Sequence, residues 1–75
     1  MKTIIYGFGQ MGQKIYQQLK AQNESIVAVV SQAFDYSIDE LMLADLRGFE
    51  QEADVLIDFS HPDNLQDILD YALRT

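Results

Sequence analysis

Cysteine is absent from this chain of 75 residues. That excludes a disulfide scaffold and a thiolate metal site, and it fits a reducing, cytoplasmic setting. Cations are scarce: 5 Lys and Arg stand against 12 Asp and Glu, for a net charge of −7. Lys2, Lys14, Lys20, Arg47 and Arg74 are scattered, with none of the basic stripe a nucleic-acid binder carries. Nucleic acid and anionic membrane surfaces are therefore set aside as partners. No apolar run approaches the roughly 20 residues of a membrane span. Met1-Lys2-Thr3 leads directly into a strand-like run, without a secretory h-region. Repeats, low-complexity tracts and linkers are lacking too. What remains is 48 % hydrophobic, a globular rather than a disordered composition. A chain of this size makes one small domain that buries only about 60 % of its unfolded surface.

The four glycines are few but pointed. Three of them fall in Gly7-Phe8-Gly9-Gln10-Met11-Gly12, directly after the apolar run Ile4-Ile5-Tyr6 and before a helix-patterned stretch. Strand, glycine turn and helix in that order make a dinucleotide site. Gly7 permits the tight turn, Gly9 lets backbone approach a pyrophosphate, and Gly12 lets the helix pack close to the strand. The first helical N–H groups then point at the phosphates, where the helix dipole favours negative charge. The motif is a weak signal alone; its context strengthens it.

Lys2–Tyr6 reads as a strand buried on both faces, because its apolar residues are consecutive. A helix is predicted over 10–22, with Met11, Ile15 and Leu19 on the inner face beside Gly12 and Tyr16, and Asn23 as its stop. Ile26–Val30 is a second buried, β-branched strand. Ser37-Ile38-Asp39-Glu40 fits a capping box, which predicts a short helix over 38–46 ended by Gly48. Asp54–Phe59 is a third strand. Ser60 then reads as the cap of a closing helix, with Asp63 reciprocating and Pro62 in the first turn. Leu65, Ile68, Leu69, Ala72 and Leu73 form its apolar stripe, read as core. The fold expected is α/β and Rossmann-like: a partial doubly wound parallel sheet of three strands, order 2-1-3, with helices on both faces. It supplies about half of a dinucleotide fold and leaves the third strand as an open edge. The chain is accordingly expected to be the truncated N-terminal dinucleotide-binding domain of a longer protein, without the substrate and catalytic domain.

Ala53-Asp54-Val55-Leu56-Ile57-Asp58-Phe59-Ser60-His61-Pro62, placed after the GFGQMG opening, resembles the N-terminal domain of the 4-hydroxy-tetrahydrodipicolinate reductase (dihydrodipicolinate reductase) family. The resemblance spans essentially the whole chain. It is strongest at 4–12 and 53–62 and weak at 32–50. It implies NAD(P)H-dependent reduction of a cyclic imine-type dicarboxylate in lysine and diaminopimelate synthesis, by longer, cytoplasmic, homo-oligomeric enzymes. It implies that Gly7, Phe8, Gly9, Gln10, Met11 and Gly12 cradle the pyrophosphate and neighbouring ribose. Phe59 and Ser60 would lie beside the nicotinamide half, while Asp58 matches the pattern without an assigned contact. The glycine turn here has the family's short form. The family's Gly-Thr-Thr segment and its histidine-rich and lysine segments, which bind substrate and donate a proton, have no counterpart in these residues. No catalytic or metal-binding residue is therefore assigned, and no turnover is expected of this chain alone.

Several residues admit two readings. A ribose-binding acid belongs about 20 residues past the glycines, and a nearby arginine would suggest a 2′-phosphate. Ser31-Gln32 occupies that place with Asp35 slightly beyond, so NADH and NADPH both stay open. Ser31 either meets a ribose or caps a strand, and Asp35 reads as a solvated loop acid. His61, the one histidine, lacks a partner constellation and reads as a helix-start residue rather than an acid–base group. Tyr6 packs, whereas Phe8 packs or touches the cofactor. Asp63, Asp67 and Asp70 read as a solvated face rather than metal ligands. Two other readings stand beside the reductase. One is the N-terminal piece of another GxGxMG dehydrogenase, such as a β-hydroxyacid dehydrogenase or a pyrroline-carboxylate reductase. The other is a non-catalytic nucleotide-binding module that senses redox state.

Overall fold

A computed structural model of the chain describes residues 1–32 and 37–75. Its elements are β1 (Lys2–Tyr6), α1 (Gln10–Ala21), β2 (Ser25–Val30), β3 (Met42–Leu43), β4 (Val55–Asp58) and α2 (Leu65–Arg74), the last preceded by a 3₁₀ turn at Pro62–Asn64. All strand pairs are parallel and the sheet order is β3-β2-β1-β4. The predicted 2-1-3 arrangement survives as β2-β1-β4, but the sheet has four strands rather than three. β1 lies inside, as its unbroken apolar run requires.

Alternation along β1 divides the core between the two faces. Ile5 packs with Ile26, Val29, Tyr16 and Leu19 under α1. Ile4 and Tyr6 pack with Ala28, Val30, Leu46 and Tyr71 under α2. An extra residue in β2 makes this possible. Thr3 pairs with Ile26 but Ile4 pairs with Ala28, so Val27 is bulged out. Without the bulge, Ile26 and Val29 would face opposite sides.

The predicted end of α1 holds. Asn23 takes φ 59°. Its N–H bonds the Lys20 carbonyl, and the Glu24 N–H bonds the Leu19 carbonyl, at 3.1 and 3.0 Å, which is a Schellman closure. Its inner face is centred elsewhere than expected. Gly12 is buried, while Met11 is 55 % exposed, because the close approach at Gly12 turns Met11 sideways out of the contact.

The helix predicted over 38–46 does not form. Met42–Leu43 pairs with Val29–Val30 instead. The Val29 and Ser31 N–H groups bond the Leu41 and Leu43 carbonyls at 2.9 and 2.8 Å. The open edge of β2 needs backbone partners, which a helix there would not supply. Glu40, placed in that helix by its sequence, instead accepts from Tyr16 Oη and from Lys20 Nζ, the latter at 2.7 Å. Gly48, at φ +74°, turns the connector from Leu46 to Phe49 rather than capping a helix; the Phe49 N–H bonds the Leu46 carbonyl at 3.0 Å.

Of the α2 stripe expected as core, Ile68 does pack against the Ile4–Tyr6 cluster, but the leucines do not. Leu65 is 55 %, Leu69 46 % and Leu73 87 % exposed. The helix is oriented by a different set of residues. Asp67 Oδ2 accepts from Tyr6 Oη and from the Leu46 N–H. Tyr71 Oη bonds the Gln51 carbonyl at 2.7 Å. Arg74 Nη2 donates to the carbonyls of Leu46 and Phe49. Residues 67, 71 and 74 lie on one helical face, so together they clamp the connector and turn the leucines away from the sheet. Asp67 thus departs from the solvated reading. β4 is the last strand on that side, so no further strand lies there to cover them among the described residues.

Candidate functional site

The C-terminal ends of β1, β2 and β4 meet in a crevice. Tyr6, Gly7, Val30, Ser31, Gln32, Ala44, Ser60 and Asn64 line a cavity of about 110 Å³ there. Gly7, Ser31 and Ser60, three of the residues singled out in the sequence, are thereby brought together. Such crevices at the carboxyl ends of parallel strands are where open α/β sheets take ligands.

The three motif glycines are required to different degrees. Gly7 has φ +105°, and a Cβ on it would lie 2.9 Å from the Phe59 carbonyl carbon and 3.0 Å from the Ser60 nitrogen. Its N–H bonds the Val30 carbonyl at 2.8 Å, and the Phe59 N–H bonds the Tyr6 carbonyl at 2.8 Å. A Cβ on Gly12 would lie 2.2 Å from the Gly7 carbonyl oxygen. Folding therefore accounts for both. Gly9 is different: its φ of −77° suits any residue, and a Cβ there would meet nothing within 4 Å. The fold makes no demand for glycine at that position.

Gly9 is also the N-cap of α1, with no side-chain cap bond and no acid in the first helical turn. The opening N–H groups of a helix have no intrahelical partners. A helix start lacking both cap and acid keeps its positive end available for an anion. Bare backbone at Gly9 together with that uncapped terminus fits a phosphate group. Gln10 and Met11 form the first turn beside it. The Phe8 ring meets Tyr16 edge-on, with centroids 5.5 Å apart, and its carbonyl accepts from Gln13 Nε2 at 3.1 Å. Packing thus occupies the Phe8 ring.

On the other wall, Phe59 is 42 % exposed. Ser60 does not cap the closing helix as predicted. Its hydroxyl donates to Asp58 Oδ1 at 2.6 Å. The Asp63 N–H is taken instead by His61 Nδ1 at 3.2 Å. With Pro62 as the first residue of the 3₁₀ turn, the cap falls one residue later than the capping-box spacing suggests. His61 is a capping residue at the rim, its side chain 72 % exposed.

Tyr6 lies on the floor of the crevice. Burial, the hydrogen bond to Asp67 and that carboxylate's charge, with smaller effects of Asp45 and Asp58, push its phenol well above 10.0. It stays protonated at neutral pH, its proton directed to Asp67. The arrangement can hold an anionic ligand on backbone donors and present polar groups to its far end. Beyond β2, Ser31 and Gln32 sit at the crevice, whereas Asp35 lies outside the described residues. No helix among the described residues is long and apolar enough to cross a membrane.

Comparison with known proteins adds to this geometry. The family described as dihydrodipicolinate reductase, N-terminus, matches residues 1–75. A 4-hydroxy-tetrahydrodipicolinate reductase of Sulfurimonas denitrificans is 35 % identical over 80 residues, covering 100 % of this chain and 31 % of that protein. One of an Exiguobacterium species is 36 % identical over 69 residues, covering 92 % of this chain and 26 % of that protein. The chain thus spans less than a third of the length of the curated relatives it matches. No solved structure matches significantly.

Proposed function

This chain belongs to the dihydrodipicolinate reductase N-terminus family, and we propose that it is the nucleotide-binding part of such a reductase, holding NADH or NADPH. The observation that carries the reading is Gly9, bare where the fold has no need of it, at the uncapped start of α1. Gly7, Phe8, Gly9, Gln10, Met11 and Gly12 form the pyrophosphate cradle, through backbone N–H groups rather than side chains. Ser31 is the candidate ribose contact at the end of β2. Phe59 and Ser60 take the nicotinamide half. The reduced nicotinamide, when bound, supplies the hydride. The residues here bind and orient; none is assigned a proton transfer.

In the intact protein the substrate is a cyclic imine dicarboxylate of lysine and diaminopimelate synthesis, and the assembly is a homo-oligomer in the cytoplasm. The chain corresponds to the N-terminal dinucleotide-binding domain of such a reductase. The net charge of −7 opposes a dianionic ligand at long range, but salt screens exposed charges beyond about 10 Å.

Titrating the chain with NADH and with NADPH under NMR observation tests the reading. The amides of residues 7–12 are expected to shift first and furthest. Shifts confined to 63–75 would overturn the cradle assignment.

A further inference from the structure

The turn leaving β4 has a fixed account of protons. Asp58 Oδ1 accepts from the Ser60 N–H at 2.8 Å and from Ser60 Oγ at 2.6 Å. The other group near that hydroxyl is the His61 carbonyl, 3.5 Å away. A carboxylate and a carbonyl are both acceptors with no proton to give, and a serine hydroxyl has one. The shorter, charge-assisted bond to Asp58 takes it. Ser60 Oγ therefore has only lone pairs left for a ligand. The backbone that carries this side chain lies against Gly7, near 3 Å from where a Cβ would be, and Asp58 orients the hydroxyl on it.

We propose that Asp58 is a positioning residue that makes Ser60 an acceptor-only contact. The ligand group seated on Ser60 is then a hydrogen-bond donor, either a ribose hydroxyl or a carboxamide N–H, and never a phosphate oxygen. This rests on the dinucleotide reading and gives the crevice a polarity: backbone donors at Gly9 for the diphosphate, an acceptor at Ser60 for the uncharged end. The negative charge of Asp58 works in the same direction, since it repels phosphate from that wall.

The test measures binding of NADH, and of its 3-acetylpyridine analogue, to the wild-type chain, Ser60→Ala, Asp58→Ala, Asp58→Asn and the double variant Asp58→Ala/Ser60→Ala. The analogue carries a methyl ketone in place of the carboxamide and so lacks the N–H donor. Circular dichroism verifies folding of each variant. One lost hydrogen bond predicts about three- to tenfold weaker NADH binding for Ser60→Ala, and Asp58→Ala, which leaves the Ser60 hydroxyl unoriented, weakens it by up to as much. The double variant should bind no more weakly than Ser60→Ala, because Asp58 acts through Ser60. Asp58→Asn keeps an oxygen acceptor and should bind nearly as wild type. If the analogue binds the wild type more weakly and ignores Ser60→Ala, the donor is the carboxamide. If the analogue binds as NADH does and Ser60→Ala weakens both, the donor is a ribose hydroxyl. Either result upholds the proposal. It is overturned if Ser60→Ala binds NADH normally, if Asp58→Ala still weakens binding in the Ser60→Ala background, or if Asp58→Asn fails as Asp58→Ala does. A wild-type chain that binds neither NADH nor NADPH overturns the dinucleotide reading itself, and this inference with it.

Discussion

Replacing Gly12 with alanine places a methyl group 2.2 Å from the Gly7 carbonyl oxygen. The obstacle is backbone, held by the Gly7 N–H bond to Val30, so it cannot rotate aside as a side chain could. Either α1 must lift from the sheet or the turn must distort. Overpacking of this kind costs about 1–3 kcal/mol, occasionally more, and a backbone clash belongs at the upper end. Alanine returns at most about 1 kcal/mol through helix propensity. The net loss is then about 2 kcal/mol, against a total stability of roughly 4–11 kcal/mol for a chain of this length. For so small a domain it lowers Tm by about 8–16 °C. Thermal and urea melts followed by far-UV circular dichroism measure it. Gly9→Ala is the internal control: the same chemical change three residues earlier meets nothing within 4 Å and costs less than about 1 kcal/mol as an N-cap change. A Gly12→Ala chain that melts with the wild type would refute the reasoning, and so would a Gly9→Ala chain that melts lower than Gly12→Ala.

Gly9→Val is expected to abolish NADH and NADPH binding while lowering Tm by only a few degrees, as titration beside a melt would show. Asp67→Ala strands the Tyr6 hydroxyl and the Leu46 N–H, at about 1–3 kcal/mol for an unsatisfied buried group, read as a lower urea midpoint. Because the Tyr6 phenol is raised above 10.0 in the folded chain, its contribution is complete below that pH and is lost as pH rises through the folded value. A spectrophotometric titration should show the Tyr6 phenol ionising late, and Asp67→Asn should bring it forward. Burial alone would raise the Glu40 carboxyl, but the bonds from Lys20 and Tyr16 outweigh it and hold it below 4.5. Its stabilisation is present above that pH and fades as pH falls through the lowered value. The Tm gap between wild type and Glu40→Gln should therefore close in acid.

The opening strand, turn and helix were legible because their signals are local. The glycine spacing, the apolar run and Asn23 each act on neighbours a few residues away. β3 was not legible, because two residues become a strand only when the free edge of β2, a dozen positions earlier, needs partners. The Val27 bulge is equally non-local. Periodicity found the stripe of α2 but not its direction, which the polar bonds of Asp67, Tyr71 and Arg74 to the connector decide. The Asp58–Ser60 turn did carry a signal: an acid two residues before a serine is the spacing at which a side chain bonds its own backbone. The capping-box pattern that starts at the same Ser60 overlaps and obscures it.

Gly7 is wedged between two neighbours. α1 presses on its carbonyl at Gly12, and the exit of β4 presses on its other side at Phe59 and Ser60. A keystone seated this way cannot yield to one flank without disturbing the other. On the proposed dinucleotide reading, the anchor for the charged middle of the ligand and the contact for its distal ring would therefore act as one gauge rather than as separate jaws. A molecule of the wrong span would then be rejected as a whole, even when either end taken alone would fit.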